Sequence, residues 1–213
     1  MNTDGPCLSY PIAVFDCETT GIGEDDVPVE VAIARFEDGE VVARWSSLVN
    51  PMRPIPADAT AVHGITDEMV SSAPTLWDLA PEMLRVSGGA WPCAYNAPFD
   101  RRMLHAQVSG KDCPLFDPDV EWIDPLVIVR DVDRFVPGSG RHRLDIACAR
   151  HGVQREGDAH RALSDALCAG HLLFRLRGHV EHLSMDAFLR KQRARAAAQD
   201  ADRQAYMARR MEG

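Results

Sequence analysis

Ala13-Val14-Phe15-Asp16-Cys17-Glu18-Thr19-Thr20-Gly21-Ile22-Gly23 sets two carboxylates into a stretch that otherwise reads as a buried strand. The apolar run from Pro11 to Phe15 has strand length, and the Thr-Thr-Gly after it is a turn signal. Side chains two apart on a strand share a face, so Asp16 and Glu18 stand side by side at the strand's end. Two like charges about 4 Å apart cost on the order of 4 kcal/mol at an effective dielectric of ~20, which calls for a compensating cation or a proton. A lone D-x-E pair also fits a polar strand end splayed into solvent. The rest of the chain decides between the two.

Outward from this strand, Val29 to Phe36 reads as a second strand, Glu37-Asp38-Gly39-Glu40 as a hairpin turn and Val41 to Val49 as a third strand, a meander. Asn50 to Pro56 is studded with proline and cannot continue the sheet. Helical signals follow near Leu76 to Val86, from about Pro98 to Val108, from Arg143 to His151 and from His160 to Leu176. Trp91 to Tyr95 reads as a short buried strand, and Val120 to Ile123 is a candidate fifth. Strands interleaved with helices give an α/β class, and the opening meander makes the sheet mixed. Ligands in such sheets gather at strand ends, where Asp16 and Glu18 stand.

With 213 residues and 46% apolar content the chain can bury one substantial core. It contains no apolar run long enough to cross a membrane, and MNTDGPCLSY lacks the pattern of a signal peptide, so a cytoplasmic location and no membrane partner are expected. Six scattered cysteines without a C-x-x-C pair argue for reduced packing thiols and against zinc. A formal net charge of -9 argues against a broad basic nucleic-acid surface. It leaves room for an enzyme that collects carboxylates around cations.

Two later segments extend the carboxylate set. Asn96-Ala97-Pro98-Phe99-Asp100 enters a helix, with Asp100 in its first turn, where a carboxylate also simply suits the helix dipole. In Asp158-Ala159-His160-Arg161-Ala162-Leu163-Ser164-Asp165, five residues separate His160 from Asp165, a turn of about 140° on a helix. The two cannot share a helix face. His160 therefore belongs in the loop at the helix entrance, and Asp165 on the inner face among Ala162, Ala166 and Ala169. A buried unpaired carboxylate there is costly, and a metal would relieve it. Four carboxylates with a histidine and no cysteine fit a hard cation such as Mg²⁺ or Mn²⁺.

D-x-E-T-T-G at Asp16, N-A-x-F-D at Asn96 and H-x-x-x-x-D at His160 together resemble, in order, the three motifs of the DEDDh family of 3′→5′ exonucleases. The likeness runs over about residues 10 to 176. His63-Gly64-Ile65-Thr66, Trp122-Ile123-Asp124-Pro125-Leu126 and His142-Arg143-Leu144-Asp145 resemble its epsilon-like branch, that of the proofreading subunit of bacterial replicative polymerases. Tyr95 departs from the histidine common before the Asn in that branch.

The resemblance implies an RNase H-like fold with a five-stranded mixed sheet flanked by helices. It implies two ions, Mg²⁺ or Mn²⁺, held by Asp16, Glu18, Asp100 and Asp165. Asp16 would bridge both ions, Glu18 and Asp165 would complete the one that activates water, and Asp100 would hold the second through water. His160 would take the proton from the attacking water, work suited to a side chain that titrates near neutral pH. Thr19, Thr20, His63 and Phe99 are candidate contacts for the terminal nucleotide, although Phe99 equally suits a core position. The substrate implied is a nucleic acid 3′ end, DNA ahead of RNA, with a polymerase or repair partner. An exoribonuclease and an inert nuclease fold used as a binding module are the competing readings. The exonuclease domain is expected over 1–178, with a helical, locally basic extension over 179–213. From Asp186 on, seven basic residues face four acidic ones, and the apolar residues gather at the two ends, which reads as a helix docked only at its ends, with an arm that guides nucleic acid toward the site as the alternative.

Overall fold

β1 (Ile12–Thr19), β2 (Pro28–Glu37) and β3 (Glu40–Leu48) form an antiparallel meander. β4 (Trp91–Cys93) joins the other side of β1 in parallel, giving a mixed sheet of order β3-β2-β1-β4. The structure, a computed structural model, describes residues 3–108 and 120–211. Asp38 (φ 51°) and Gly39 (φ 88°) both take the left-handed conformation, which matches the twist of a two-residue hairpin turn between β2 and β3.

The expected fifth strand is reduced to a single parallel bridge between Cys93 and Ile123. The Ile123 amide donates to the Pro92 carbonyl at 2.9 Å, and the Ala94 amide donates to the Ile123 carbonyl at 3.1 Å. The next residues turn away at once. Asp124 accepts from the Leu126 amide at 2.9 Å, and Pro125 opens α5 (Pro125–Val132), so nothing remains extended to lengthen the pairing. Among the described residues the sheet has four strands.

Both faces of the sheet are covered. Ile12 and Val14 of β1, with Ala34 and Phe36 of β2, pack against Ala166, Ala169 and Leu172 of α7 (Ala162–Arg175). Small residues on α7 permit a close approach, and a Cβ at Gly170 would overlap the Phe36 ring. Ala13, Phe15 and Cys17, with Val31 and Ile33, pack on the other side against α3 (Leu76–Ser87). α4 (Ala97–Val108) adds Leu104 to that cluster. Val70 of α2 (Asp67–Val70) packs on Val29 with Ile55 and Ile65, which flank α1 (Ala57–His63). Elements of seven and four residues are too short to show a periodic stripe in sequence. α6 (Leu144–Arg150) packs beside α7. The five described cysteines are free and buried, and Cys113 lies outside the described residues.

α8 (Met185–Met211) does not dock only at its ends. Met185, Phe188 and Leu189 are buried, and a polar stripe continues the docking along α5. Gln192 donates to the Trp122 carbonyl and accepts from the Asp124 amide, both at 2.8 Å, Arg195 pairs with Asp131 at 2.7 Å, and Gln199 donates to the Val127 carbonyl at 3.1 Å. Tyr206 and Met207 are more than half exposed. Apolar patterning misses such an attachment because its anchors are hydrogen bonds. No helix among the described residues is long and apolar enough to cross a membrane.

Candidate active site

The face of β1 that begins with Ile12 and Val14 ends with Asp16 and Glu18, so the alternation that fills the core also delivers the carboxylates. A register shift between Glu18 and Thr19 interrupts the pairing there, a device that re-aims side chains beside functional sites. Glu30 stands directly across from Glu18 on β2 and is 3% exposed. Its carboxylate accepts from Arg161 at 2.7 and 3.2 Å and from the Ala162 amide at 3.0 Å. Glu30 thereby fastens the N-terminus of α7 to the sheet, where a carboxylate is favoured. The first turn of α7 then brings Asp165 to the end of β1. His160 lies in the turn just before α7, exposed, with φ 58°. Ligand atoms of Glu18, His160 and Asp165 all lie within 4.8 Å of one another.

Asp100, 2% exposed, comes from the first turn of α4. The turn into α4 passes through Asn96 at φ 70° and is held by Asp124, which accepts from the Asn96 amide at 3.0 Å as well as from Leu126. Non-glycine residues at positive φ persist only where their surroundings enforce them, and here two of them, Asn96 and His160, flank one acidic cluster.

Burial is the first cause that lifts these carboxyls, and their mutual repulsion the second. Asp16 is pushed well above the usual range by burial, then by the charges of Asp100, Asp165, Glu18 and Glu30. Burial, with Asp124 adding repulsion, lifts Asp100. Glu18 rises to about 7 through burial, then Asp165 and Glu30, with Arg161 opposing. Asp165, expected to be unpaired, is not: the Arg155 guanidinium bonds its carboxylate and the Ser164 hydroxyl, the latter at 3.1 Å. Arg155 precedes α7 by a loop that folds back over its first turn, a contact invisible to helical spacing. The repulsion therefore falls chiefly on Asp16 and Glu18, since Asp100 also accepts hydrogen bonds from the backbone and from Cys17.

The nucleotide-contact candidates lie around this cluster in different states. Thr19 donates its hydroxyl to the Gly21 carbonyl at 2.6 Å, and Thr20 donates to Asp26 at 2.7 Å while accepting from the Val27 amide at 3.1 Å. Both hydroxyls thus shape the loop after β1, in which a Cβ at Gly21 would collide with Asp26. Phe99 is half-buried, with Arg102 over its ring at 5.6 Å. Arg102 also donates to the carbonyls of Gly23 and Ile22 at 2.6 and 3.0 Å, tying that loop to α4. His63 is 7% exposed; its Nδ1 accepts from the Ile65 amide at 3.0 Å, and its Nε2 is buried without a hydrogen bond. Burial holds His63 below the usual histidine range.

Beside the carboxylates opens a cleft of about 720 Å³, in which Asn96, His160 and Asp165 meet arginines from the far side. Sequence reasoning did not find this cleft, nor Glu30 and Arg155. A glutamate on the apolar face of β2 carried the same signal as Asp16. Arg141 and Arg143 are neighbours in sequence, but Arg130, Arg155 and Arg203 come from separate segments that no linear run of charge connects.

A cluster of carboxylates and one imidazole is the donor chemistry of hard divalent cations. Cys17 is buried on the opposite face of β1, and burial with the Asp100 charge lifts its thiol. The residues present fit such ions.

Residues 13–173 match the RNase T family model, described as "Exonuclease". The chain belongs to this exonuclease family. It is 36% identical to an uncharacterized exonuclease of Escherichia phage 186 over 71% of this chain and 80% of that protein. It is 37% identical to a DNA polymerase III subunit epsilon-like protein of Rhodobacter capsulatus over 80% of this chain but only 24% of that one. The chain likewise spans 11% of a PolC-type DNA polymerase III of Latilactobacillus sakei. Among solved structures, Exonuclease X in complex with 5′ overhanging duplex DNA superposes with a TM-score of 0.67 at 29% identity, over 85% of this chain and 99% of that one. The chain thus combines the mixed α/β fold of this exonuclease family with a group of carboxylates and one imidazole able to hold a divalent metal.

Proposed function

We propose that this exonuclease removes nucleoside monophosphates from the 3′ end of single-stranded DNA, using Asp16, Glu18, Asp100 and Asp165 to hold Mg²⁺ or Mn²⁺ and His160 as general base. The carrying observation is the convergence of Glu18, His160 and Asp165 from a strand end, a strained turn and a helix, with Asp16 close enough to be repelled by Glu18 and Asp165 and by Asp100. Two bound cations would stabilise the attacking and leaving oxygens of an in-line displacement. His160, exposed at the mouth of the cluster, takes the proton of the attacking water and passes it to solvent. Phe99 stacks on the terminal base, and His63 offers its unbonded Nε2 beside it. Thr19 and Thr20 hold the loop that borders this nucleotide and meet it through the backbone.

DNA is favoured over RNA because relatives named as DNA polymerase III subunits and a neighbour described in complex with DNA support it. The same names support a polymerase, ahead of a repair protein, as partner. The exonuclease unit ends near residue 178, and residues 179–213 form an appended helical extension.

Oligomers of DNA and RNA, 5′-labelled and with free or blocked 3′ ends, test this with Mg²⁺, with Mn²⁺ and in EDTA. Stepwise shortening of 3′-free DNA that stops in EDTA is expected. Shortening of the 3′-blocked oligomer, or faster loss of RNA than DNA, would overturn polarity or substrate respectively. His160→Ala should lower turnover by about 10²–10⁴-fold while metal binding persists.

A further inference from the structure

The cleft beside the carboxylates carries a charge that the exonuclease reading so far leaves without a use. Its wall presents Arg130, Arg141, Arg143, Arg155 and Arg203 against the carboxylates of Asp145 and Asp165, on a chain whose formal charge is -9. Three of the five have partners: Arg155 holds Asp165, Arg143 meets Asp145 at 3.4 Å, and Arg203 meets Asp200 at 3.2 Å in an exposed pair. Arg130 and Arg141 make no ion pair among the described residues, although both are half-buried, and the Arg141 Nε is buried without a hydrogen bond. Arg130 feels the buried Asp124 carboxylate without pairing with it, and charged groups partly withdrawn from water with no anion in contact are costly. These two guanidiniums therefore point to an anion supplied from outside. They are close enough to His142 to help hold it below the usual histidine range, after burial as the larger cause, so the positive field is felt within the wall.

Arg203 is delivered by α8. Gln192, Arg195 and Gln199 lie three to seven residues apart on one stripe and fasten α8 along α5, and Arg203 continues that stripe one turn further, at the rim of the cleft. The extension thus has a geometric task that its apolar pattern does not suggest.

We propose that this arginine wall seats the sugar–phosphate backbone of the strand behind its cleaved end, with Arg130 and Arg141 at the centre of the seat and Arg203 of α8 at its outer edge. The inference rests on the exonuclease reading above and extends it from the terminal nucleotide to the incoming strand. The cleft meets the cluster at His160 and Asp165, so one polyanion can have its end at the carboxylates and its body along the arginines. The recognised chemistry is a row of phosphodiesters, which DNA and RNA share.

The 213-residue chain and the variants Arg130→Gln/Arg141→Gln and Arg203→Gln are to be titrated, in EDTA so that nothing is cleaved, into fluorescent 4-mers and 20-mers of DNA and of RNA across a salt series. The wild type should bind the 20-mer more tightly and with a steeper salt dependence than the 4-mer. Each lost arginine contact should flatten the 20-mer slope by about 0.7 in log–log terms, the value for a phosphate on a single strand. Arg130→Lys/Arg141→Lys should restore most of the slope, which a merely structural role would not do. Equal 20-mer slopes in wild type and both glutamine variants would overturn the seat. Equal losses for the 4-mer and the 20-mer would also overturn it, by moving the arginines to the terminal nucleotide. Flattened slopes in a protein that shortens no oligomer in Mg²⁺ would sustain the seat and reject the exonuclease reading instead. A larger effect on DNA than on RNA identifies DNA as the strand served, and the reverse identifies RNA.

Discussion

On β1, Ala13, Phe15 and Cys17 enter one side of the sheet while Ile12, Val14, Asp16 and Glu18 enter the other, and the two sides end differently. The first side is apolar through Cys17, which packs against α3, α4 and Trp122, whose ring lies 5.0 Å from that of Phe15. The other side exchanges its apolar residues for carboxylates after Val14, where α7 presents Asp165. One residue step along the strand thus separates groups that hold the fold from groups that strain it.

The widest test of this contrast sets Asp16→Asn against Phe15→Ala. Asp16→Asn should reduce mononucleotide release on the order of a thousandfold or more, because the site acts as a unit. Its melting temperature in EDTA should stay level or rise, since one repelling charge is gone. Phe15→Ala, at a position with no solvent exposure, should cost about 3–5 kcal/mol of stability in a denaturant titration while the folded fraction keeps its turnover. A substantial fall in the melting temperature of metal-free Asp16→Asn would mean that Asp16 belongs with Phe15 as a fold residue.

A smaller effect reads the repulsion directly. A carboxyl raised from 4.5 to about 7 on folding binds its proton more tightly in the native state, so metal-free stability falls as pH rises between those values. At about 1.4 kcal/mol per unit, Glu18 accounts for roughly 3 kcal/mol lost by pH 8. His63 and His142, held low by burial, act in the opposite sense and gain stability as pH rises toward 6.5. The informative quantity is therefore the difference between wild type and Glu18→Gln, measured by urea unfolding in EDTA at pH 5 and pH 8. The variant should gain on the wild type at pH 8 relative to pH 5. A difference that does not change with pH would remove Glu18 from the repelling set.

The apolar side was legible because alternation and turn chemistry are local: the three strands of the meander and the Asp38-Gly39 turn follow from nearest neighbours. His160 at the entrance of α7 and Asp165 on its inner face were legible too, since helical spacing forbids them one face. What escaped depends on segments distant in the chain. Glu30 acts through Arg161, 131 residues away, and the attachment of α8 runs through Gln192 to Trp122, 70 residues away. The fifth strand was overread because Val120 to Ile123 has strand composition, while Asp124 and Pro125 just beyond it impose a helix start.

The smallest effect concerns Arg155, which belongs to neither side of the contrast, since it neutralises a carboxylate without filling the core. With no cation bound, its guanidinium is the countercharge of Asp165, and both side chains are less than a quarter exposed. Arg155→Gln should lower metal-free stability by about 1 kcal/mol, above a solvated pair and below a fully buried one. The same change leaves Asp165 free for a cation, so Mn²⁺ should bind a few-fold more tightly in a calorimetric titration and recover the stability that was lost. If Arg155 instead orients Asp165 toward the cluster, the variant will bind Mn²⁺ more weakly than the wild type. The sign of the change in affinity thus separates a guanidinium that competes with the metal from one that builds its site.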